Sequence, residues 1–331
     1  MDDLARTVAT SQCPGPRRCA VSPPIATDRR KSGYGIVTGT PGVISIFQKA
    51  TENPVDRQTQ IGRAQAFRSL HDRKRIVLLP NAWDAGSARL FARRGFAAIA
   101  TTSGGMAWSL GYADGERTPL AEVLDAIARI VRAVDLPVTA DIEGGYGDTP
   151  AAVGDTVSAV IATGAVGINL EDGTPGHGPL RDCDEAAARI RAARSAADAA
   201  GVPIVINARV DNWMHPPSDP SAPLADATMR AHAYLAAGAD CIYPIGLSDA
   251  STLAAFVRAV DAPVNVAAGR GVPPLAQLAR LGVARVSTAT RFATLALDAV
   301  DQAARAILDG NSFDALASEF TYADAQRLFE S

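Results

Sequence analysis

The segment VTADIEGGYGDTP, residues 138–150, is an apolar run that ends in two carboxylates, Asp141 and Glu143, and continues into a glycine-rich stretch. Short runs of this kind, rich in β-branched residues and followed by glycine, are typical of strands buried on both faces of a parallel sheet. Side chains two positions apart on a strand point to the same face. The segment therefore predicts a buried strand that presents both carboxylates on one side of its end.

Seven further runs of this kind lie along the chain, separated by alanine-rich stretches with apolar residues at helical spacing. Eight β/α units in about 250 residues are typical of an α/β fold, the closed (β/α)8 TIM barrel, with a doubly wound open sheet as the alternative. We expect the barrel domain at residues 61–331, with additional C-terminal helices that cap it or reach a neighbouring subunit. The other predicted strands are RIVLLP (75–80), AAIATT (97–102), GINLED (167–172), PIVINAR (203–209), CIYPIG (241–246), PVNVAA (263–268) and RVSTAT (285–290).

The first 60 residues differ from the rest of the chain. They mix proline, glycine, serine and arginine without a helical or strand period. Such composition is typical of poorly ordered chain ends. We therefore predict a disordered N-terminal extension over residues 1–60.

The composition narrows the classes of function. Of the 331 residues, 47% are hydrophobic, the formal net charge is -3, and no apolar run approaches the roughly 18 residues of a membrane span. Positive charge is not clustered, so neither a membrane nor a nucleic acid is expected as a partner. The four cysteines are scattered, which indicates a reducing cytoplasm. No lysine follows Lys74, which argues against Schiff-base mechanisms that need an active-site lysine.

Polar residues collect where the predicted strands end. The carboxyl ends of barrel strands share one rim, where active sites form. Three carboxylates that converge there repel one another unless a hard divalent cation with oxygen ligands lies between them. The pattern predicts Mg²⁺ or Mn²⁺ held by Asp141, Glu143 and Glu171. The alternative is that Asp141 and Glu143 are partly exposed strand-end residues that pair with arginines. The other polar strand-end residues are Asn169, Asn207, Arg209 and Asn265.

A second candidate element is TTSGGMAWSLGYADGE, residues 101–116. We interpret it as a long loop in which the Ser103 hydroxyl and the exposed N–H groups of Gly104 and Gly105 hold a carboxylate or phosphoryl oxygen. Asp114 lies further along the same stretch. Ser-Gly-Gly also occurs in many ordinary turns, so this element adds weight only together with the strand-end residues.

Five segments, in their order and spacing, resemble the isocitrate lyase and phosphoenolpyruvate mutase superfamily. They are NAWDAGSARL, TTSGGMAWSLGYADGE, VTADIEGGYGDTP, GINLEDG and INARVD, and the similarity runs from about residue 76 to about residue 290. The resemblance implies a (β/α)8 barrel, often with its last helix swapped between the subunits of a dimer or tetramer. It also implies a Mg²⁺-bound enolpyruvate-like intermediate. We therefore expect a homo-oligomer that binds a small carboxylate substrate.

The resemblance implies roles for individual residues. Asp141 and Glu143 match the metal-site carboxylates of the family, and Glu171 lies near the same ion, usually through water. Residues 103–105 match the loop that holds the carboxylate or phosphoryl end of the substrate. The remaining matches are Asp114 as a site aspartate, Arg209 as the arginine that holds the substrate, and Asn265 and Arg291 as further substrate contacts.

The chain departs from the family on the loop after the strand GINLED. Family lyases carry Lys-x-Cys-Gly-His there, with the cysteine as the proton donor, whereas this chain reads EDGTPGHGPLRDC, residues 171–183. His177 is the candidate for the histidine of the motif and for a proton donor, with an exposed loop histidine as the alternative. The lysine and the cysteine beside it are missing, so the metal platform is expected without the reaction-specific groups.

Three functions remain open from the sequence. The leading one is a Mg²⁺-dependent carbon–carbon lyase or hydrolase that acts through an enolate on a small 2-hydroxy or 2-oxo di- or tricarboxylate, of the 2-methylisocitrate lyase type. The first alternative is a mutase or hydrolase of the phosphoenolpyruvate, phosphonopyruvate or carboxyphosphonoenolpyruvate type. The second alternative is a non-catalytic descendant that binds a dicarboxylate.

Overall fold

The structure, a computed structural model, describes residues 55–176, 178–214, 218–310 and 312–330. Short strands alternate with helices along this part of the chain, as the sequence predicts. In it the strands are β1 (Val77–Leu79), β2 (Asn81–Ala82), β3 (Ile99–Thr101), β4 (Val138–Asp141), β5 (Gly167–Glu171), β6 (Val205–Val210), β7 (Cys241–Pro244), β8 (Asn265–Ala267) and β9 (Arg285–Ser287). Over the same residues the helices are α1 (Arg57–Ser69), α2 (Ala85–Arg93), α3 (Ser103–Leu110), α4 (Leu120–Ala133), α5 (Pro150–Ala162), α6 (Cys183–Ala200), α7 (Leu224–Ala236), α8 (Ala250–Val260), α9 (Leu275–Arg280), α10 (Arg291–Gly310) and α11 (Tyr322–Arg327), with a 3-10 turn at Asp314–Leu316.

The strands close into a barrel. Strands β2 to β7 pair with one another in sequence order, and β1 pairs with β9, which pairs with β8; every pairing is parallel. A parallel bridge between Ile242 and Val264 links β7 to the segment before β8. At the other seam, β1 and β2 follow one another and are separated by Pro80, which lacks the N–H that a continuous ladder needs. The predicted (β/α)8 barrel is confirmed.

The core forms because the strands are apolar on both faces and each helix buries one stripe. All six residues of β6 are buried, and so are all five of β5. In α4 the buried residues are Val123, Ile127, Ile130 and Val131, at the spacing of a single helix face. Barrel interior and helix layer therefore share one continuous hydrophobic core.

Side-chain caps fix where several helices begin after the strands. The side chains of Thr149 and Asp249 accept hydrogen bonds from the backbone N–H three residues on, and Pro150 occupies the first turn of α5. Asp84 forms a reciprocal capping box with Ser87 at the start of α2. These caps end the loops that leave the carboxyl ends of the strands, so the rim has a defined shape.

Helix α1 begins at Arg57, before the predicted boundary at residue 61. The buried Gln60 side chain donates to the carbonyls of Ile161 and Ala165 at 2.8 and 3.0 Å, which ties the helix to the end of α5. The barrel domain thus includes residues that the sequence assigned to the extension. Residues 1–54 of the predicted extension lie outside the described residues.

The C-terminal part adds α11 and the 3-10 turn after the eighth β/α unit, as predicted. In α10 only Ala293 is buried, whereas Leu297, Val300 and Leu308 are 57%, 67% and 81% exposed. Across the described ranges, none of the helices combines the length and the apolar character that crossing a bilayer requires.

A buried histidine links the fold to pH. His71 follows α1 and its Nδ1 atom donates to the carbonyl of Phe67 at 2.9 Å. Its Nε2 atom is buried and has no hydrogen-bond partner among the described residues. Burial, followed by the positive charge of Arg285, lowers the pKa of His71 to about 4.

We expect the free energy of unfolding to fall as the pH is lowered from 6.5 toward 4. In this range His71 becomes protonated in the unfolded chain but stays neutral in the folded chain. The stability contributed by neutral His71 is fully present above pH 6.5, its pKa in the unfolded chain. It is lost progressively as the pH falls toward 4, its pKa in the folded chain, and the total loss is at most ~3 kcal/mol. Urea unfolding at several pH values measures it. His71→Phe, which cannot be protonated, should flatten the difference curve, and an unchanged pH dependence in that variant would contradict the assignment.

Candidate active site

A cavity of about 180 Å³ lies at the carboxyl ends of the barrel strands. Four predicted site residues, Ser103, Asp114, Asp141 and Arg209, line it together. The position agrees with the location of active sites in barrels of this class. The other lining residues are Asn81, Thr102, Asn169, Met214, Tyr243, Ile245, Ser287, Ala289 and Thr290.

Ser103 starts helix α3, so the interpretation of this stretch as a loop is wrong for residues 103–110. The Thr102 side chain caps the helix by accepting from the N–H of Gly105 at 3.4 Å. A Cβ atom on Gly105 would lie 2.6 Å from Cγ2 of Thr102 and 2.9 Å from Cβ of Trp83. Gly104 and Gly105 are both buried, and this close packing requires a glycine at position 105. Of residues 103–105, Ser103 is the one that reaches the cavity.

Asp141 ends β4 and lines the cavity with Asp114. The Ser103 hydroxyl donates to Oδ2 of Asp141 at 3.2 Å. Burial raises the pKa of Asp141 against the opposing charge of Arg209, and Asp114 raises it further. Oδ1 of Asp114 is buried and accepts no hydrogen bond within the described part of the chain. The two aspartates therefore form a negatively charged side of the cavity with acceptor capacity to spare.

Glu143 does not line the cavity, although the strand period placed it beside Asp141. Strand β4 ends at Asp141, and Glu143 has a positive φ of 51°, so the alternation of faces stops before it. Its carboxylate accepts from the N–H groups of Gly115 and Glu116 at 2.9 and 2.7 Å and from the hydroxyl of Tyr146 at 2.9 Å. Burial raises the pKa of Glu143 to about 7. Glu143 thus ties the loop around Gly115 to the glycine-rich segment after β4.

The carboxylate of Glu171 is engaged in an ion pair with Arg209. The two residues are opposite each other in the register of β5 and β6, and their side chains form an ion pair. Arg209 also donates from Nε and Nη2 to the two carboxylate oxygens of Asp211 at 2.7 and 2.8 Å. Although burial disfavours its charged form, these carboxylates hold the pKa of Arg209 above its ordinary value. Pairing with an arginine, the alternative raised for Asp141 and Glu143, is thus found at Glu171.

The orientation of the Asn169 amide is fixed from below the cavity. Its Oδ1 atom accepts from Nδ2 of Asn207 at 2.8 Å and from Nη2 of Arg285 at 3.3 Å. A guanidinium has donors only, so the amide atom that faces it must be the oxygen. Asn169 lines the cavity, and with its Oδ1 atom engaged, the Nδ2 group is the part of the amide that can donate to a bound molecule.

Two predicted substrate contacts, Asn265 and Arg291, do not line the cavity. Asn265 is fully buried and donates to Oγ of Ser287 at 3.0 Å, so Ser287 lines the cavity in its place. Arg291 is exposed at the start of α10 and is not a lining residue. His177 lies outside the described residues. Ser287 and Asn81 were missed, yet each belongs to a strand end, which is the signal that would have found them.

The donor set suits a magnesium ion that keeps water ligands. Within residues 55–176, 178–214, 218–310 and 312–330, no three carboxylate, histidine or cysteine side chains are placed to hold one ion. Mg²⁺ is usually bound through one or two carboxylates plus water and substrate, not by an all-protein cage. Asp141 and Asp114 provide such carboxylates at the cavity, and the buried Oδ1 atom of Asp114 has no partner there. Glu143 and Glu171 would act on the ion at most indirectly.

A close contact joins two loops beside the site. Gly115 has a φ of +97°, and a Cβ atom on it would lie 2.8 Å from Cα and 2.9 Å from N of Gly176. Gly176 belongs to the segment after β5, where the N–H of Thr174 donates to the carbonyl of Pro179 at 3.0 Å. The loop that carries Asp114 thus touches the loop in which the family motif would lie.

Comparison with known proteins agrees with the resemblance. The model of the phosphoenolpyruvate phosphomutase family matches residues 67–308. A solved structure from Burkholderia cenocepacia J2315, provisionally assigned as a lyase/mutase, is 41% identical with a TM-score of 0.77 and covers 83% of this chain and 98% of its own. The 2-methylisocitrate lyase of Escherichia coli K12 is 31% identical over 206 residues, 60% of this chain and 68% of the lyase. The phosphoenolpyruvate phosphomutase of Streptomyces platensis subsp. rosaceus is 27% identical with a TM-score of 0.70, over 81% of this chain and 96% of its own. The predicted superfamily is confirmed.

We expect Gly115→Ala to destabilise the protein more than Gly111→Ala. Both glycines have positive φ, 97° and 89°, but a Cβ atom on Gly111 meets nothing within 4 Å. The backbone penalty is therefore shared, and the contact with Gly176 adds about 1–3 kcal/mol for Gly115 alone. Urea unfolding of the two variants measures the difference. Equal losses of stability would show that the two loops do not rest on each other.

Proposed function

Because the chain belongs to the phosphoenolpyruvate phosphomutase family, we propose that it is a carbon–carbon lyase or hydrolase. Its proposed substrate is a small 2-hydroxy or 2-oxo di- or tricarboxylate, and its proposed cofactor is Mg²⁺ or Mn²⁺. The observation that carries this proposal is the single cavity in which Ser103, Asp114, Asp141 and Arg209 meet. The similarity to 2-methylisocitrate lyase supports a carbon–carbon bond as the one that breaks.

Asp141 would hold the ion, with Asp114 as the second carboxylate at the cavity. When bound, the ion would polarise an oxygen of the substrate and offset the negative charge that develops as the bond breaks. Ser103 at the amino end of α3, the Nδ2 group of Asn169 and Arg209 are the donors for the substrate's oxygens. These groups stand on strand ends and a capped helix, so they are held in place before the substrate binds.

Proton transfer is assigned to Asp114. For a 2-hydroxy acid, the carboxylate of Asp114 takes the proton from the substrate hydroxyl. The hydroxyl-bearing carbon becomes the carbonyl of an oxoacid, and the electron pair of the broken carbon–carbon bond stays on the other fragment. That fragment then takes up one proton, a step we assign to His177. No oxidant or reductant is needed.

The proposal predicts that Asp141→Ala lowers the affinity for Mg²⁺ at least about ten-fold and abolishes turnover, because the carboxylate at the cavity is lost. Calorimetric titration with Mg²⁺ measures the affinity. NMR measures turnover of oxaloacetate, 2-methylisocitrate, isocitrate, dimethylmalate, citramalate and phosphonopyruvate. Asp148→Ala, an exposed carboxylate in the same segment, is the matched control and should leave both unchanged.

The outcomes separate the alternatives. Unchanged Mg²⁺ affinity in Asp141→Ala would remove the metal assignment. Release of an oxoacid would support the proposed lyase. Free phosphate or a rearranged phosphonate would instead indicate a mutase or hydrolase that acts on phosphonopyruvate, the alternative supported by the match to the phosphoenolpyruvate phosphomutase model. Metal-dependent binding without any product would indicate a non-catalytic descendant.

We also propose that the chain forms a cytoplasmic homo-oligomer through α10. Along this helix Leu297, Val300 and Leu308 share one face and are largely exposed. At the amino-terminal end of the barrel, a groove of about 500 Å³ leaves Leu78 of β1 38% exposed, although barrel strands are normally covered by helices. Apolar surface of this kind is typical of subunit contacts. The free thiols of Cys183 and Cys241 suit a reducing compartment.

We expect Leu297→Glu combined with Val300→Glu to dissociate the oligomer, because two charges would replace apolar contact area. Sedimentation velocity measures the mass. Gln302→Glu combined with Ala306→Glu adds the same charge on the other face of α10 and should leave the mass unchanged. A monomeric wild type, or an oligomer that survives the first pair, would contradict the assignment of this face.

A further inference from the structure

One wall of the cavity is apolar and offers no donor. Met214 lies in the segment after β6, Ile245 directly follows β7, and both residues line the cavity. The N–H of Met214 donates to the carbonyl of Asp211, and the N–H of Ile245 donates to the carbonyl of Tyr243, both at 2.9 Å. Neither the side chains nor the main-chain donors of this apolar wall can hold a carboxylate.

The charges around the cavity are mostly negative. Arg209 is the one cation among the lining residues that the structure describes, and it is already paired with Glu171 and Asp211. Asp114 and Asp141 add two carboxylates that line the cavity, so the charge left beside the paired Arg209 is negative until a divalent ion binds. With Arg209 already paired, a further substrate carboxylate placed at the apolar wall would be buried without a partner.

The cavity is also small. Its volume of about 180 Å³ lies below the roughly 300–1,000 Å³ of typical ligand pockets. A short acid and the water ligands of an ion would compete for this space. The small volume of the cavity, its negative charge and its apolar wall all limit the number of carboxylate groups on a substrate.

We infer that the site takes a 2-hydroxy or 2-oxo acid with no more than two carboxylates, whose remaining substituent is hydrogen or a short alkyl group packed against Met214 and Ile245. This inference narrows the proposed function and rests on it. The polar groups Ser103, Asn169 and Arg209 receive the acid's oxygens, and the apolar wall receives the substituent. Met214 and Ile245 are then specificity-determining residues.

A matched pair of acids tests the inference on the full chain. 3-Methylmalate and isocitrate share the 2-hydroxy acid frame and differ in that a methyl group is replaced by a carboxymethyl group. With free Mg²⁺ held constant, calorimetry should show 3-methylmalate binding at least about ten-fold more tightly. Equal or tighter binding of isocitrate would overturn the inference, and so would binding of neither acid.

A charge placed on the apolar wall should change the preference. Ile245→Lys would supply a partner for the third carboxylate and is expected to reduce the preference for 3-methylmalate at least about five-fold. Ile245→Met, an uncharged unbranched side chain, should leave the preference unchanged. Met214→Lys provides the same test from the neighbouring strand if Ile245→Lys does not fold, as thermal unfolding would show. An unchanged preference in the folded lysine variants would remove the role of the wall.

Binding and turnover separate this inference from the proposed function. Preferential turnover of isocitrate or 2-methylisocitrate would leave a carbon–carbon lyase in place and overturn the limit of two carboxylates. Selective binding of 3-methylmalate with no product from any acid would remove the proposed reaction and leave the ligand class standing.

Discussion

The candidate site depends on the buried guanidinium of Arg209. Glu171 lies opposite it in the register of β5 and β6, and Asp211 bonds its other edge through two hydrogen bonds. A buried charge is tolerated only when it is paired, and removing one partner of such a pair typically costs 3–5 kcal/mol. Because the three groups need one another, their side-chain directions are fixed. Arg209 consequently lines the cavity in a fixed position, and Glu171 is not available as a direct metal ligand.

Closure of the barrel also fixes a layer of polar side chains inside it, next to the cavity. Parallel strands in register bring Asn169 beside Asn207, and Arg285 reaches the same amide oxygen from β9. Arg285 is fully buried, and burial lowers its pKa. Its guanidinium also lies 5.9 Å from the ring centroid of Phe67. The polar layer thus turns one donor, Nδ2 of Asn169, toward the place where a substrate would bind.

The sequence predicts the barrel well because its strands are buried on both faces and leave continuous apolar runs. It predicts the site less well, because strand periodicity does not reveal where a strand ends. Glu143 shows this limit, since β4 stops at Asp141 and the backbone turns into positive φ before Glu143. The helix at residues 103–110 was missed because Gly104 and Gly105 disfavour helix locally, whereas close packing with Trp83 and Thr102 requires a glycine at position 105.

Residues that carry no polar group were the hardest to predict. Met214 and Ile245 line the cavity among the polar residues, but nothing in their chemistry distinguishes them from core residues. In the proposed site they matter because they offer no hydrogen-bond donor to a carboxylate. In a cavity that already contains Asp114 and Asp141, the absence of a donor on one wall selects among acids as strongly as the presence of a donor on another.

The three carboxylates that the sequence grouped as metal ligands show how the backbone assigns different tasks to similar side chains. Asp141 is still on its strand and faces the cavity, Glu143 has left the strand and binds the neighbouring loop, and Glu171 pairs with Arg209. Only the first is therefore placed to touch an ion directly. The other two hold in place the loop of Asp114 and the arginine, the groups that would meet the substrate beside that ion.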